Sequence, residues 1–141
     1  MKLENAVVLI TGANRGLGLA FAKEALARGA RKVYAAARNP ASIMLEGVIP
    51  VKLDVNNPDD VARVARDYDD VTLLINNAGV AETGGFLSED AEAMLRRQLE
   101  TNLFGPLKLS RAFAPVLATN GGGGIINVLS IASWITGPVR A

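Results

Sequence analysis

The sequence of 141 residues contains no cysteine and no histidine. Without cysteine it can form no disulfide, offer no thiol nucleophile and build no thiolate zinc site. Without histidine, imidazole is excluded as a catalytic base, a proton relay or a metal ligand, and Ser-His-Asp catalysis is excluded with it. The remaining chemistry has to use carboxylates, hydroxyls, amides, lysine, arginine or a bound cofactor, and no metal site is expected.

The chain also lacks a strong net charge and a long apolar run. Its formal net charge is +1, with both signs spread along the sequence, and 50% of its residues are hydrophobic. This distribution does not resemble a nucleic-acid-binding face. No apolar run approaches the ~20 residues needed to span a bilayer, and the N-terminus carries no signal-peptide pattern. We expect a cytoplasmic protein with a buried core, and neither nucleic acid nor a membrane as partner.

The most informative segment present is a glycine-rich turn at residues 11–18, TGANRGLG, directly after an apolar run at residues 6–10. A strand that turns through glycines into a helix offers a phosphate the N–H groups of the turn and the positive end of the helix dipole. We expect Gly12 to allow the tight turn, Gly16 to let a diphosphate approach, and Gly18 to let helix and strand pack closely. The other predicted members of this nucleotide site are Asn14, Arg15 and Leu17.

Strand-like and helix-like segments alternate along the chain. Strands are predicted at residues 6–10, 32–37, 48–53, 71–75 and 125–129. Such alternation implies right-handed crossovers and a parallel sheet covered by helices on both faces. The predicted fold is therefore α/β, a doubly wound Rossmann sheet of strand order 3-2-1-4-5. Ligands of such sheets bind at the carboxyl ends of the strands, where the order reverses.

Three helices are predicted between these strands. The first covers residues 16–28, with a buried stripe of Leu17, Phe21 and Ala25 and a stop at Gly29. The second is opened by Pro58, which suits a first helical turn. The third is long and runs from an N-cap at Ser88 towards residue 116.

The long helix contains Pro106, which has no N–H group. In an unbroken helix the N–H of residue 106 would bind the carbonyl of Asn102. We therefore expect this carbonyl to be free, in a locally kinked helix. The alternative is a helix break between Gly105 and Pro106 that has no chemical role.

Further motifs follow the glycine turn: Asp54-Val55 after the third strand, residues 76–79 (NNAG) after the fourth, residues 102–105 (NLFG) in the long helix, and residues 125–130 (IINVLS) at the fifth. Together with the turn they resemble the short-chain dehydrogenase/reductase family over essentially the whole chain. The resemblance implies a Rossmann sheet and hydride transfer between a nicotinamide cofactor and a small alcohol or carbonyl substrate. It also implies a homo-oligomer, a dimer or a tetramer.

The resemblance assigns cofactor roles to residues beyond the turn. Asp54 would accept a hydrogen bond from the adenine amino group, with Val55 beside it in the cofactor site. The backbone at Asn77, Ala78 and Gly79 would pass close to the cofactor. The alternatives are ordinary ones, since an acid can cap a strand end and Asn and Gly form turns in any protein.

The resemblance assigns catalytic roles as well. Ser130 would hydrogen-bond the reacting carbonyl oxygen and help to stabilise the developing alkoxide charge, with Ser133 as the second choice. Asn102 would use its main-chain carbonyl to hold a water that extends the proton relay. Trp134 and Ile135 would either line the substrate side of the site or simply pack.

The end of the second strand bears on the choice of cofactor. An NAD site usually has an acid there, for the ribose 2′-OH, whereas this strand ends in three alanines followed by Arg38. Arg38 and Arg15 would approach a 2′-phosphate from two sides, through charge-assisted bonds. The prediction is NADP(H) rather than NAD, and the alternative is two solvated surface arginines.

One part of the family pattern is missing. The family's catalytic Tyr-x-x-x-Lys has no counterpart, because the tyrosines are Tyr34 and Tyr68, and Arg38 and Thr72 stand four residues after them. Family spacing puts the catalytic tyrosine just past Ala141. We therefore expect residues 1–141 to be a single NAD(P)-binding Rossmann domain that is incomplete at its C-terminus. A fifth strand ending there would leave a hydrophobic sheet edge exposed.

Three functions are compatible with these observations. The first is an NADP(H)-dependent oxidoreductase whose catalytic Tyr and Lys lie beyond the given chain. The second is a non-catalytic NADP-binding module or partner subunit, which would bind the cofactor without turnover. The third is an inactive fragment.

Overall fold

A computed structural model describes residues 2–82, 84 and 87–130. Within them the strands are β1 (Val7–Thr11), β2 (Lys32–Ala37), β3 (Ile49–Lys52), β4 (Leu73–Asn76) and β5 (Gly124–Asn127). The α-helices are α1 (Gly16–Ala27), α2 (Pro58–Asp67), α3 (Ala91–Leu99) and α4 (Gly105–Thr119). A short 3₁₀ helix, Pro40–Ser42, follows β2.

The strands form one parallel sheet of order β3-β2-β1-β4-β5, which confirms the predicted doubly wound topology. All five residues of β1 are buried, as expected for a central strand with helices on both faces. One core includes Phe113 and Leu117 of α4, and the other includes Ala22 and Ala25 of α1. The strand order reverses between β1 and β4, and this places a crevice at their carboxyl ends.

Helix α1 packs on the sheet through a face that only partly matches the predicted one: Ala25 is buried and Phe21 packs against the same core, but Leu17 does not. Its buried residues are Gly18, Ala22 and Ala25, whereas Leu17 is 63% exposed. Only small side chains fit here, because the helix starts directly above the turn that leaves β1. Hydrophobicity alone ranks leucine above glycine and alanine, and it therefore predicted a stripe that starts at Leu17 instead of at the buried Gly18. The helix does stop before Gly29, whose φ is +78°, as predicted.

The long helix is interrupted immediately before Pro106. A π-helical segment, Glu100–Phe104, joins α3 to α4, and the N–H of Gly105 donates to the carbonyl of Glu100. This wider turn lies where the missing N–H of the proline was expected to disturb the helix. The N-cap of α3 is Asp90, so the predicted N-cap, Ser88, was wrong by two residues.

At the sheet end away from the crevice, a polar cluster joins β2 to the segment before β4. Asp70 accepts hydrogen bonds from Lys32 Nζ at 2.6 Å and from the Tyr34 hydroxyl at 2.9 Å. The Tyr34 ring lies 4.6 Å from that of Tyr68, centroid to centroid. Burial opposes ionisation of Asp70, but the hydrogen bonds from Lys32 and Tyr34 outweigh it and lower the pKa of the carboxyl.

We expect Asp70→Asn to destabilise the protein by less than about 1 kcal/mol near neutral pH, because the pair is partly exposed. Folding lowers the pKa of Asp70, so its stabilisation is complete above the unfolded value of about 3.9 and is lost as the pH falls through the folded value. Urea midpoints of wild type and variant should therefore differ at neutral pH and converge below about pH 4. A gap that persisted in acid would contradict a role for the charge.

Strand β5 bounds the sheet on one side within the described residues, and its Ile125 and Ile126 are 37% and 47% exposed. An exposed apolar edge is what the sequence predicted here.

Among the helices described, none combines the length and the apolar character that crossing a membrane would require.

Candidate functional site

The glycine turn between β1 and α1 has the geometry that its sequence predicts. Gly12 and Gly16 have φ values of +65° and +55°, a region that glycine adopts most readily. A Cβ at Gly16 would meet no atom within 4 Å, so the turn is open on that side. A Cβ at Gly18 would lie 2.5 Å from Asn77 Nδ2 and closer still to the carbonyl oxygen of Gly12. Gly18 is therefore required for packing, and Gly16 faces free space.

Thr11 connects this turn to the loop after β4, a role that the sequence analysis missed. Its hydroxyl oxygen accepts hydrogen bonds from the N–H groups of Asn77, at 3.0 Å, and Ala78, at 2.9 Å. In return, Asn77 Nδ2 donates to the carbonyls of Thr11, at 2.9 Å, and Gly12, at 3.3 Å. The sequence shows a hydroxyl residue at the end of an otherwise apolar strand but gives no sign of its partners, and in the fold Thr11 is 1% exposed.

A groove of about 560 Å³ runs along the carboxyl ends of the strands. The predicted cofactor residues that line it are Gly12, Asn14, Arg15, Gly16, Leu17, Arg38, Asp54, Val55, Asn77, Ala78 and Gly79. Gly18 does not line the groove, because it packs beneath the turn. Four polar residues that the sequence did not predict for this site also line the groove: Asn39, Ser42, Asn56 and Thr101. The fold thus brings together residues from four separate loops.

The charges along this groove are mainly unpaired. Arg15 and Arg38 are exposed, and neither forms an ion pair with any residue that the structure describes. One carboxylate oxygen of Asp54 accepts from the N–H of Asn56 at 3.0 Å, which closes a local turn. The groove therefore has two cationic groups and one anionic group available to a ligand.

A second cavity, of about 680 Å³, lies on the other side of the loop after β4. Asn102 and Ser130, the two predicted catalytic residues, both line it. Residues 77–80 line this cavity and the groove alike. Ser133, Trp134 and Ile135 lie outside the described residues.

With this geometry established, similarity to known proteins identifies the family. The family model described as short chain dehydrogenase matches residues 6–141. The chain belongs to the short-chain dehydrogenase family.

Individual similar proteins support this membership. A solved short chain dehydrogenase from Burkholderia cenocepacia, in complex with NADP, is 43% identical with a TM-score of 0.91, covering 99% of this chain and 59% of that one. An uncharacterized oxidoreductase of Schizosaccharomyces pombe is 34% identical over 98% of this chain and 49% of its own. Galactitol 2-dehydrogenase of Agrobacterium fabrum is also 34% identical, over 92% and 54%. The chain thus spans about half the length of these curated relatives.

The side chain of Asn102 holds the loop after β4. Its Oδ1 accepts from the N–H of Val80 at 2.9 Å, and its Nδ2 donates to the Val80 carbonyl at 2.8 Å. The sequence pointed only to the main-chain carbonyl of Asn102, whose predicted role with water stays a prediction. The side-chain contact spans 22 positions of sequence and has no local signal.

The buried side-chain amide of Asn76 joins the ends of β4 and β5. Asn76, which is 3% exposed, donates through Nδ2 to Asn127 Oδ1 at 2.8 Å and to Ser110 Oγ at 3.4 Å. These bonds connect β4 to β5 and to α4. As for metals, no group of three or more acidic side chains converges to hold an ion in the part of the chain that the structure describes.

Proposed function

We propose that the protein is an NADP(H)-dependent oxidoreductase that moves a hydride between the nicotinamide and a small carbonyl or alcohol substrate. The observation that carries this proposal is the groove at the carboxyl ends of the strands, which gathers the predicted cofactor residues around an open helix N-terminus. Membership of the short-chain dehydrogenase family supports it. So does the 43% identity to a family member in complex with NADP.

The residues of the groove fit a dinucleotide phosphate. The diphosphate would lie over the turn at Gly16, where a Cβ would meet nothing within 4 Å and the positive end of α1 favours an anion. Asp54, with Val55 beside it, would border the adenine at the end of β3. The exposed apolar side chain of Leu17 and the backbone at residues 77–79 would border the nicotinamide. The bound cofactor would supply the hydride donor or acceptor.

The cavity beyond the loop after β4 would take the substrate. Ser130 would donate a hydrogen bond to the reacting oxygen, and so would stabilise the negative charge that develops there. The main-chain carbonyl of Asn102 would hold a water in the proton path. A proton donor is also required, and we infer that a part of the protein outside these 141 residues supplies it. From the family resemblance we likewise infer a homo-oligomer, and we propose the cytoplasm as its location.

A binding and turnover assay tests this function in the full chain. NADPH should quench or enhance intrinsic fluorescence, should raise the melting temperature, and should be oxidised in the presence of a panel of ketones and aldehydes. Binding without turnover would favour the NADP-binding module instead. A folded protein that showed neither a fluorescence change nor thermal protection would rule the proposal out.

Cofactor preference gives a sharper prediction at Arg38. Removing one charge-assisted contact to the 2′-phosphate costs about 1.5 kcal/mol, or roughly tenfold in affinity. We expect Arg38→Ala to weaken NADPH binding by about tenfold and to leave NADH binding nearly unchanged, as measured by fluorescence titration. Arg31→Ala is the matched control, because Arg31 is an exposed arginine next to the other end of β2. An equal loss for both cofactors would contradict a 2′-phosphate contact.

A further inference from the structure

The loop after β4, residues 77–82, has no regular secondary structure and lies between the groove and the cavity. Three anchors fix it along its length. Thr11 holds Asn77 and Ala78 at its start, and Asn102 holds Val80 in its middle. The third anchor is the contact between Glu82 and Arg97 of α3.

Glu82 is held by a two-pronged ion pair. Arg97 Nη2 lies 2.6 Å from Glu82 Oε2, and Arg97 Nε lies 3.1 Å and 3.2 Å from the two carboxylate oxygens. The N–H of Glu82 also donates to Gln98 Oε1 at 3.5 Å. The hydrogen bond from Arg97 lowers the pKa of Glu82, so the carboxylate is charged at neutral pH. A fork of this kind fixes direction as well as distance.

The neighbouring arginine shows what is particular about this contact. Arg96 pairs with Glu92 through Nη2 at 2.7 Å and Nε at 3.0 Å, but both residues belong to α3. Arg97 instead reaches 15 positions back along the chain to the loop. The two pairs are alike in charge, but the side chains of Arg97 and Glu82 are less exposed, at 56% and 35%, than those of Arg96 and Glu92, at 76% and 78%. They differ in that only the second connects the helix to the wall of the site.

We propose that the Glu82–Arg97 ion pair is a latch that holds residues 77–82 in the conformation that receives the nicotinamide half of the cofactor. This inference rests on the proposed function, and it makes Glu82 and Arg97 positioning residues rather than catalytic ones. A loop that is already ordered loses less conformational entropy when a ligand binds to it. Without the ion pair, residues 81 and 82 would be less ordered in the free protein. Ordering them when the cofactor binds would then lower the affinity for the cofactor.

The test compares Arg97→Ala with its matched control Arg96→Ala in the full chain. We expect Arg97→Ala to raise the NADPH dissociation constant by about threefold, the range for a well-formed surface pair, while the melting temperature changes no more than in Arg96→Ala. Amide hydrogen exchange at Val80 should be several-fold faster in Arg97→Ala alone. The charge-reversed pair Glu82→Arg with Arg97→Glu should restore both properties.

Each result decides between the latch and its absence. Equal NADPH affinity in the two alanine variants would overturn the inference, and so would failure of the reversed pair to restore affinity. Unchanged exchange at Val80 would overturn it as well, since the loop would then not depend on the ion pair. A wild-type protein that bound no NADPH would instead defeat the proposed function, and the exchange comparison would still report on the latch by itself.

Discussion

Thr11→Val should destabilise the protein by about 3 kcal/mol and should weaken NADPH binding with it. Valine has nearly the shape of threonine, so no cavity forms, but the N–H groups of Asn77 and Ala78 lose their acceptor. Each donor left unsatisfied in a buried place costs about 1–3 kcal/mol. The effect on binding follows because these N–H groups fix the start of the loop that separates the groove from the cavity.

Thr11→Ser is the matched control, because serine keeps the hydroxyl and loses one methyl group. It should cost about 1 kcal/mol, and NADPH affinity should stay close to that of wild type. Chemical denaturation and fluorescence titration measure the two quantities. If serine and valine behaved alike, the hydroxyl would not be the group that matters.

Gly18→Ala is expected to have an effect of similar size, for a steric reason. The added Cβ would lie 2.5 Å from Asn77 Nδ2 and nearer still to the Gly12 carbonyl oxygen. Neither neighbour moves easily, since Asn77 Nδ2 is bonded to the carbonyls of both Thr11 and Gly12. Overpacking of this kind costs about 1–3 kcal/mol. We expect the loss of unfolding free energy to reach the upper end of that range.

Comparing Gly18→Ala with Gly16→Ala separates the effect of a clash inside the fold from the effect of a side chain that blocks the ligand. At Gly16 the new Cβ meets nothing within 4 Å, and the only cost to the fold is the φ of +55°, about 1 kcal/mol. The same methyl group would stand where the diphosphate approaches the turn, so NADPH binding should fall at least tenfold. Denaturation curves and titrations of the two variants should therefore rank them in opposite orders. Equal stability losses would contradict this division of roles.

The sequence predicted the fold well because the sheet is determined by local patterns. Continuous apolar runs of four to six residues, separated by helical segments, allow few arrangements other than a parallel doubly wound sheet. The observed order β3-β2-β1-β4-β5 follows from that alternation. The bounds of β2 match the prediction, and those of the other strands differ by one or two residues, since hydrogen bonding rather than hydrophobicity defines where a strand ends.

The groove at the carboxyl ends of the strands was also largely predictable, because glycines and loop positions carry their own geometric requirements. Gly12 and Gly16 need positive φ values, and parallel strands deliver their following loops to one edge of the sheet. The buried face of α1 was not predictable from hydrophobicity, since the close approach at Gly18 selects alanines over Leu17. How near a helix lies to a sheet is a property of the folded molecule.

The contacts that hold the loop after β4 could not be predicted from sequence. Thr11 meets Asn77 across 66 positions, Asn102 meets Val80 across 22, and Arg97 meets Glu82 across 15. Short-range patterns do not encode such pairings. In sequence, Arg97 is indistinguishable from Arg96, and both look like charges on a solvated helical face.

Asn77, Ala78, Gly79 and Val80 belong to the walls of both the groove and the cavity. These four residues separate the groove from the cavity, so a change that widens one of the two spaces narrows the other. With the proposed occupants, nucleotide in the groove and substrate in the cavity, a bulkier side chain here would change the fit of both. Redesign of substrate preference has more freedom on the far side of the cavity, at Leu103 and Leu107, which face the cavity and not the groove.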